Sequence, residues 1–169
     1  MMTWTRKLAV LGAGLLLTGS TLSAQTVGGW TPMGAGSLVI PFGDLGNAVG
    51  VGFGVLGGAE YRFNKDVGIR PEGDFVFYTG KNGGKSGTSF GFGATGLWHI
   101  ESSGGFKPYG LFRLGLNISS GGGLSSTDLG FAPGFGGSFK CGGPTCFVEG
   151  KIYIVNSTNA LHLSFGRFF

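Results

Sequence analysis

From Val49 to Phe63 the chain alternates. The odd positions read Val, Val, Phe, Val, Gly, Ala, Tyr, Phe, and the even positions Gly, Gly, Gly, Leu, Gly, Glu, Arg. A period of two is the mark of a β-strand whose two faces meet different surroundings. The same pattern recurs along the chain. A first strand over about Gly34 to Phe42 puts Gly36, Leu38, Ile40 and Phe42 on one face. A third, VGIRPEGDFVFYTG, sets Val67, Ile69, Phe75 and Phe77 against Arg70, Glu72 and Asp74. In a fourth, SFGFGATGLWHIE, Phe90, Phe92, Ala94, Trp98 and Ile100 share a face. A fifth, FKPYGLFRLGLNI, opposes Phe106, Phe112, Leu114, Leu116 and Ile118 to Lys107, Tyr109, Arg113 and Asn117. The sixth, about Asp128 to Lys140, aligns Leu129, Phe131, Phe135 and Phe139 against small residues. The seventh sets Val148, Ile152 and Ile154 against Glu149, Lys151 and Tyr153, and the eighth, ALHLSFGRFF, sets Leu161, Leu163, Phe165 and Phe169 against His162 and Ser164. Eight strands of about ten residues with short connections predict an antiparallel meander, and an even number lets its two ends pair and close.

Composition excludes the helical alternative. Of 169 residues 38 are Gly, and only 12% are charged, against about 7% Gly and 25% charge in ordinary globular domains. Glycine costs a helix roughly 1 kcal/mol per residue. The N-terminus is a separate object. Arg6 and Lys7 precede the apolar run Leu8 to Leu17, and small residues follow at Ser23 and Ala24. This is the layout of a secretory signal peptide, too short for a membrane-spanning helix of about 20 residues. The expected organisation is a signal peptide over 1–24 and one β-barrel domain over 25–169. Without Arg6 and Lys7 the net positive charge is too small to argue for nucleic acid.

Two motifs invite a nucleotide reading and fail. Gly52, Gly54 and Gly57 form a G-x-G-x-x-G with Glu72 twenty residues after the first glycine, but a dinucleotide fingerprint needs a turn and a helix where the alternation runs on unbroken. GGKSGT, Gly83 to Thr88, has Thr79 where a phosphate loop needs its first glycine, and it reads as a hairpin loop. No cofactor is expected.

Charge placement chooses between a soluble barrel with its apolar face inward and a membrane barrel with that face in lipid. Glu60, Arg62, Arg70, Glu72, Asp74, Glu101, Lys107, Arg113, Glu149 and Lys151, five of each sign, all fall on the non-aromatic face. Only Arg167, near the C-terminus, falls on the other. A cation facing mid-bilayer costs about 2–4 kcal/mol, so the ten charges belong in a lumen and the aromatic face in lipid. A soluble lipocalin-like barrel would show more charge and fewer glycines outside.

With SLVIPFGDLG early, GAEYRF closing a strand and LHLSFGRFF at the end, the chain from residue 25 resembles the small eight-stranded outer-membrane β-barrels of the OmpA-transmembrane-domain and OmpX type. The resemblance implies a bacterial outer-membrane protein amid phospholipid and lipopolysaccharide, expected to be monomeric. It implies that Leu161, Leu163, Phe165 and Phe169 form a signal read by the outer-membrane barrel assembly machinery. It also implies periplasmic termini, outer loops near 43–48, 81–87, 119–127 and 156–159, and inner turns near 64–66, 102–105 and 142–145.

Cys141 and Cys146 bracket the third inner turn in C-G-G-P-T-C. In a four-residue hairpin loop they would face each other within disulfide reach, and the periplasm is oxidising, so a bridge is expected. Glu60 and Arg70 flank the turn at Asn64–Asp66 symmetrically and are expected to pair. His162 and Ser164 share the spacing of outer-membrane lipid A deacylases, but here they point to the lumen without a positioned carboxylate, and a catalytic site is not expected. The lumenal charges, with His99 and Tyr109, are expected to form a closed polar floor. Gly50, Gly52, Gly54, Gly91, Gly93, Gly115 and Gly130 would leave a vestibule above it. The function this predicts is a non-enzymatic role in envelope integrity or surface interaction. The alternatives are a narrow pore, a lipid A-modifying enzyme and a soluble ligand-binding barrel.

Overall fold

The computed structural model describes residues 27–81, 86–121, 124–156 and 159–169; the expected signal segment lies outside them. Eight antiparallel strands pair in sequence order and close: β1 (Trp30–Phe42), β2 (Val49–Arg62), β3 (Val67–Gly80), β4 (Gly87–His99), β5 (Phe106–Gly121), β6 (Leu124–Lys140), β7 (Thr145–Tyr153) and β8 (Asn159–Phe168). The seam is the β1–β8 pairing, from Met33 opposite Phe168 to Phe42 opposite Asn159. Closure leaves no edge along the sheet to template another chain.

The inner turns are local in origin. At the first, the Asn64 carboxamide oxygen accepts from the backbone N–H groups of Asp66 and Val67, both at 2.8 Å, an Asx turn that reverses the chain without help from the rest of the fold. At the third, Gly142 and Gly143 take φ of +72° and +118°, a region open to glycine at little cost.

Several boundaries differ from the sequence reading. β1 begins at Trp30, four residues before the expected start. The segment 43–48, expected as a loop, is a short helix, α1 (Gly43–Ala48), whose Leu45 packs with Val49 on the interior cluster of Val39, Val76, Tyr78 and Ala160. The loop expected at 119–127 is mostly ladder, because Ser119 pairs with Ser126 and Gly121 with Leu124. Ser and Gly read as loop from composition, yet an antiparallel partner in register carries them as strand.

The faces divide as the charges predict. Phe53, Phe75, Phe77, Phe90, Phe92, Phe112, Phe135 and Phe165 are all exposed, Phe135 at 75%. Arg70, Arg113, Lys151 and Glu60 are buried to 1% or less. This is a transmembrane β-barrel fold: apolar outside, where lipid replaces water, and polar within.

The interior is not uniformly polar. Near the inner turns Met33, Ala35, Leu56, Phe147 and Phe168 form a buried apolar cluster, with the Phe147 and Phe168 rings 5.1 Å apart. Leu97, Tyr109 and Leu111 form another. The glycines expected to leave open space are in part filled by their neighbours. A Cβ on Gly52 would lie 2.8 Å from the Tyr78 ring, and one on Gly91 2.7 Å from the Asp74 carboxylate.

Candidate functional site

The centre of the lumen is occupied by six charged side chains. From β3 come Arg70, Glu72 and Asp74, from β5 Arg113, and from β7 Glu149 and Lys151. They are the inward positions of their strands, set two residues apart by the pleat. Arg70 clamps Glu149 with both terminal nitrogens, at 2.7 and 2.9 Å, and donates from Nε to Glu72 at 2.7 Å. Lys151 donates to Glu72 at 3.1 Å and lies 3.3 Å from Glu149. Arg113 sits 3.3 Å from Glu72 and 2.7 Å from Asp74, the second contact close but poorly aligned for a hydrogen bond. The Arg113 guanidinium donates to the Tyr153 hydroxyl, and the Tyr109 hydroxyl donates to Glu149 at 2.8 Å.

β3 and β7 stand on opposite sides of the eight-strand ring, so the Arg70–Glu149 and Lys151–Glu72 bonds cross the lumen. Three cations and three anions meet there. Burying ions is tolerable only where they are paired; each of the six has an opposite charge within 3.3 Å, while Arg113 Nε and Nη2 and Asp74 Oδ1 keep ionic contacts without an aligned hydrogen bond.

A second, smaller group lies nearer the inner turns. Arg62 donates to Glu60 at 2.8 Å and its Nη2 is 3.1 Å from Nδ1 of His99, whose Nε2 lies 3.1 Å from Glu60. An arginine can only donate, so in this bond Nδ1 is the acceptor. The expected Glu60–Arg70 pair does not form: Glu60 is taken by Arg62 and His99, and Arg70 by Glu72 and Glu149. Long side chains reach across the barrel rather than to the facing strand.

Two of the ten predicted lumenal charges do not join either group. Glu101 lies beyond the end of β4, exposed, and pairs with Lys65 of the first inner turn. Their hydrogen bond holds the Glu101 carboxyl below its ordinary range and the Lys65 ammonium above. Lys107, at the start of β5, is exposed at the mouth. Strand ends, not faces, decide these two, and face is all that alternation reveals.

Above the network a cavity of about 480 Å³ opens toward the outer end. Asp74, Asn117, Ser89, Tyr153 and His162 line its depth, and Leu45 of α1 its rim. His162 stacks on Tyr153 with centroids 4.0 Å apart, and the Ser164 hydroxyl is 2.8 Å from that of Ser37. Among the described residues no hydrogen bond links His162 to Ser164 or to a carboxylate, and no group of three or more His, Cys, Asp or Glu could hold a metal ion.

The cysteines are joined, with Cα atoms 5.8 Å apart. They are not directly opposite, as expected, but diagonal. Lys140 and Thr145 form the last pair of the hairpin, Cys141 lies in the turn, and Cys146 pairs with Phe139 inside β7. At the C-terminus Leu163 and Phe165 are exposed on the outer face, while Leu161 and Phe169 are half-buried. Arg167 stacks on the Phe169 ring at 4.5 Å.

No family model matches the chain, and no curated protein matches it. Solved structures do. Neisserial surface protein A (NspA) is 22% identical with a TM-score of 0.66, covering 82% of this chain and 95% of that one. The fold is the one these outer-membrane barrels share. Ail, the attachment invasion locus protein of Yersinia pestis, is 14% identical with a TM-score of 0.56, over 85% of this chain and all of Ail. The outer membrane protein OprG from Pseudomonas aeruginosa is 13% identical with a TM-score of 0.54, over 85% and 97%.

Proposed function

We propose that the chain is an integral protein of the bacterial outer membrane with a structural or surface-interaction role and no enzymatic activity, its lumen closed to diffusing solutes. The observation that carries the closed lumen is the pair of ionic links from β3 to β7, with Arg113 and Tyr153 beside them. Passage would require separating buried opposite charges, and removing one member of such a pair costs about 3–5 kcal/mol. An aromatic exterior supports a lipid environment of phospholipid and lipopolysaccharide. The surface-protein and attachment names of NspA and Ail agree with a surface role but concern those proteins. In this reading residues 1–24 are a signal peptide, removed on export, and Leu161, Leu163, Phe165 and Phe169 present the last strand to the assembly machinery of the outer membrane. The barrel acts as a monomer.

Single-channel recording in a planar bilayer at neutral pH tests the closed lumen. Silence is expected, and stable openings that survive contaminant controls would replace this reading with a narrow pore. Mass spectrometry of lipid A from cells with and without the protein tests the absence of enzyme activity. Identical profiles are expected.

A further inference from the structure

The mouth at the inner-turn end holds a cavity of about 280 Å³, apart from the six central charges and the outer vestibule, beside a larger one of about 490 Å³ that shares Arg62 and Lys107 and is also lined by Lys65, His99 and Glu101. Arg62, Lys107, Ser138, Lys140 and Thr145 line the smaller cavity. Lys107 and Lys140 bring charge there with no carboxylate in this lining, beside the Arg62 guanidinium, which is already paired with Glu60. Lys107 and Lys140 stand on neighbouring strands, since Lys107 pairs with Ser138 and Lys140 follows two residues later on the same face. Diagonal neighbours of this kind lie within reach of one another's long side chains.

Two acids of this end are already engaged. Glu60 is held by Arg62 and His99, Glu101 by Lys65, and Asp66 sits beside that same Lys65. Among the described residues Lys107 has no hydrogen bond or ion pair, and Lys140 only a 3.1 Å bond to the Thr145 hydroxyl. Ser138 is buried to 2%, faces the cavity, and its hydroxyl bonds no side chain there. Lys107 and Lys140, neighbours without a counter-charge between them, repel, and that arrangement is relieved by an anion.

From this we infer that the inner mouth is a binding site for a soluble phosphate-type oxyanion, with Lys107 and Lys140 as its charged donors and the Ser138 hydroxyl as a neutral one. Donors arriving from separate strands suit a tetrahedral anion with several acceptor oxygens better than a flat carboxylate, which a single forked guanidinium serves. The residues belong to the inward face and the rim, so the ligand enters from solution and not from the lipid side.

The test uses the mature chain refolded in an uncharged detergent, with folding confirmed by heat-modifiable gel migration and lysine side chains followed by isotope-edited NMR. Inorganic phosphate and pyrophosphate are titrated against sodium chloride at matched ionic strength. Saturable shifts at Lys107 and Lys140 are expected, with affinity in the order pyrophosphate, phosphate, chloride. Lys107→Gln and Lys140→Gln should each weaken phosphate binding at least tenfold, while Lys65→Gln, at the same end but paired with Glu101, should change it less than twofold. Phosphate shifts no larger than those of chloride, or equal losses in Lys65→Gln and both site variants, would overturn the assignment.

Discussion

Arg70 grips Glu149 through both terminal nitrogens of its guanidinium, joining the third strand to the seventh straight across the barrel. Glu149→Gln keeps the shape but takes away the counter-charge, and leaves the buried Arg70 and Lys151 short of an anion. Unfolding in detergent by denaturant should show a loss of about 3–5 kcal/mol. Arg70→Met combined with Glu149→Leu should cost less than the two single losses added together, by about 0.5–3 kcal/mol, because each single change strands the other's partner. Strict additivity would mean that the clamp is not coupled.

Gly93 and Gly115 face each other in the lumen on β4 and β5. A Cβ on Gly93 would press on the Leu114 carbonyl and come 2.7 Å from the Gly115 Cα. These are backbone atoms, which cannot swing aside as a side chain can. Gly93→Ala should destabilise by about 1–3 kcal/mol, the usual cost of overpacking. Gly57→Ala, with open space around it, should be nearly neutral. Equal unfolding midpoints for the two would show that the barrel wall yields at Gly93.

Phe53 and Trp30 are both exposed, at 60% and 57%, but Phe53 lies inside its strand, four residues from the nearer end, and Trp30 is the first residue of β1. If lipid covers the outer face, Phe53→Arg should cost about 2–4 kcal/mol on folding into vesicles and Trp30→Arg about 0–1 kcal/mol. In water the two would cost alike, so this comparison tests the membrane placement without reference to any relative.

The Cys141–Cys146 bridge closes a loop with a sequence separation of 5. Loop-closure entropy for so short a ring gives about 2 kcal/mol of stabilisation through the unfolded chain. Unfolding with and without a reductant should differ by this amount or less. A much larger loss would require the bridge to hold more than its own hairpin.

Face alternation made the strands legible, because lipid and lumen demand opposite residues at every step. It could not reveal what lies inside. Phe168 has the same inward parity as His162 and Ser164, but it adjoins Phe169, so neither parity stood out, and Phe168 packs on Phe147 within. The apolar interior of Met33, Leu56 and Phe147 was hidden for a related reason, since reading one face as aromatic left its opposite to be taken as polar. Ion partners were illegible because pairing by symmetry about a turn, as for Glu60 and Arg70, considers only adjacent strands. Arg70 bonds a residue 79 positions away. Glu101 and Lys107 show the remaining gap: periodicity gives direction, and only the end of the ladder gives depth.

The links from β3 to β7 also bear on the order of folding. Arg70 and Glu149, like Lys151 and Glu72, are 79 residues apart in sequence, and neighbouring-strand hairpins can form while both pairs stay open. A sheet that has paired β1 through β8 but not yet curled would hold Arg70, Glu72, Glu149 and Lys151 without their partners across the gap. Non-local contacts of this span repay their entropy only when they form. The barrel should therefore close in one late, cooperative step, with the seam between β1 and β8 and the ionic core completed together.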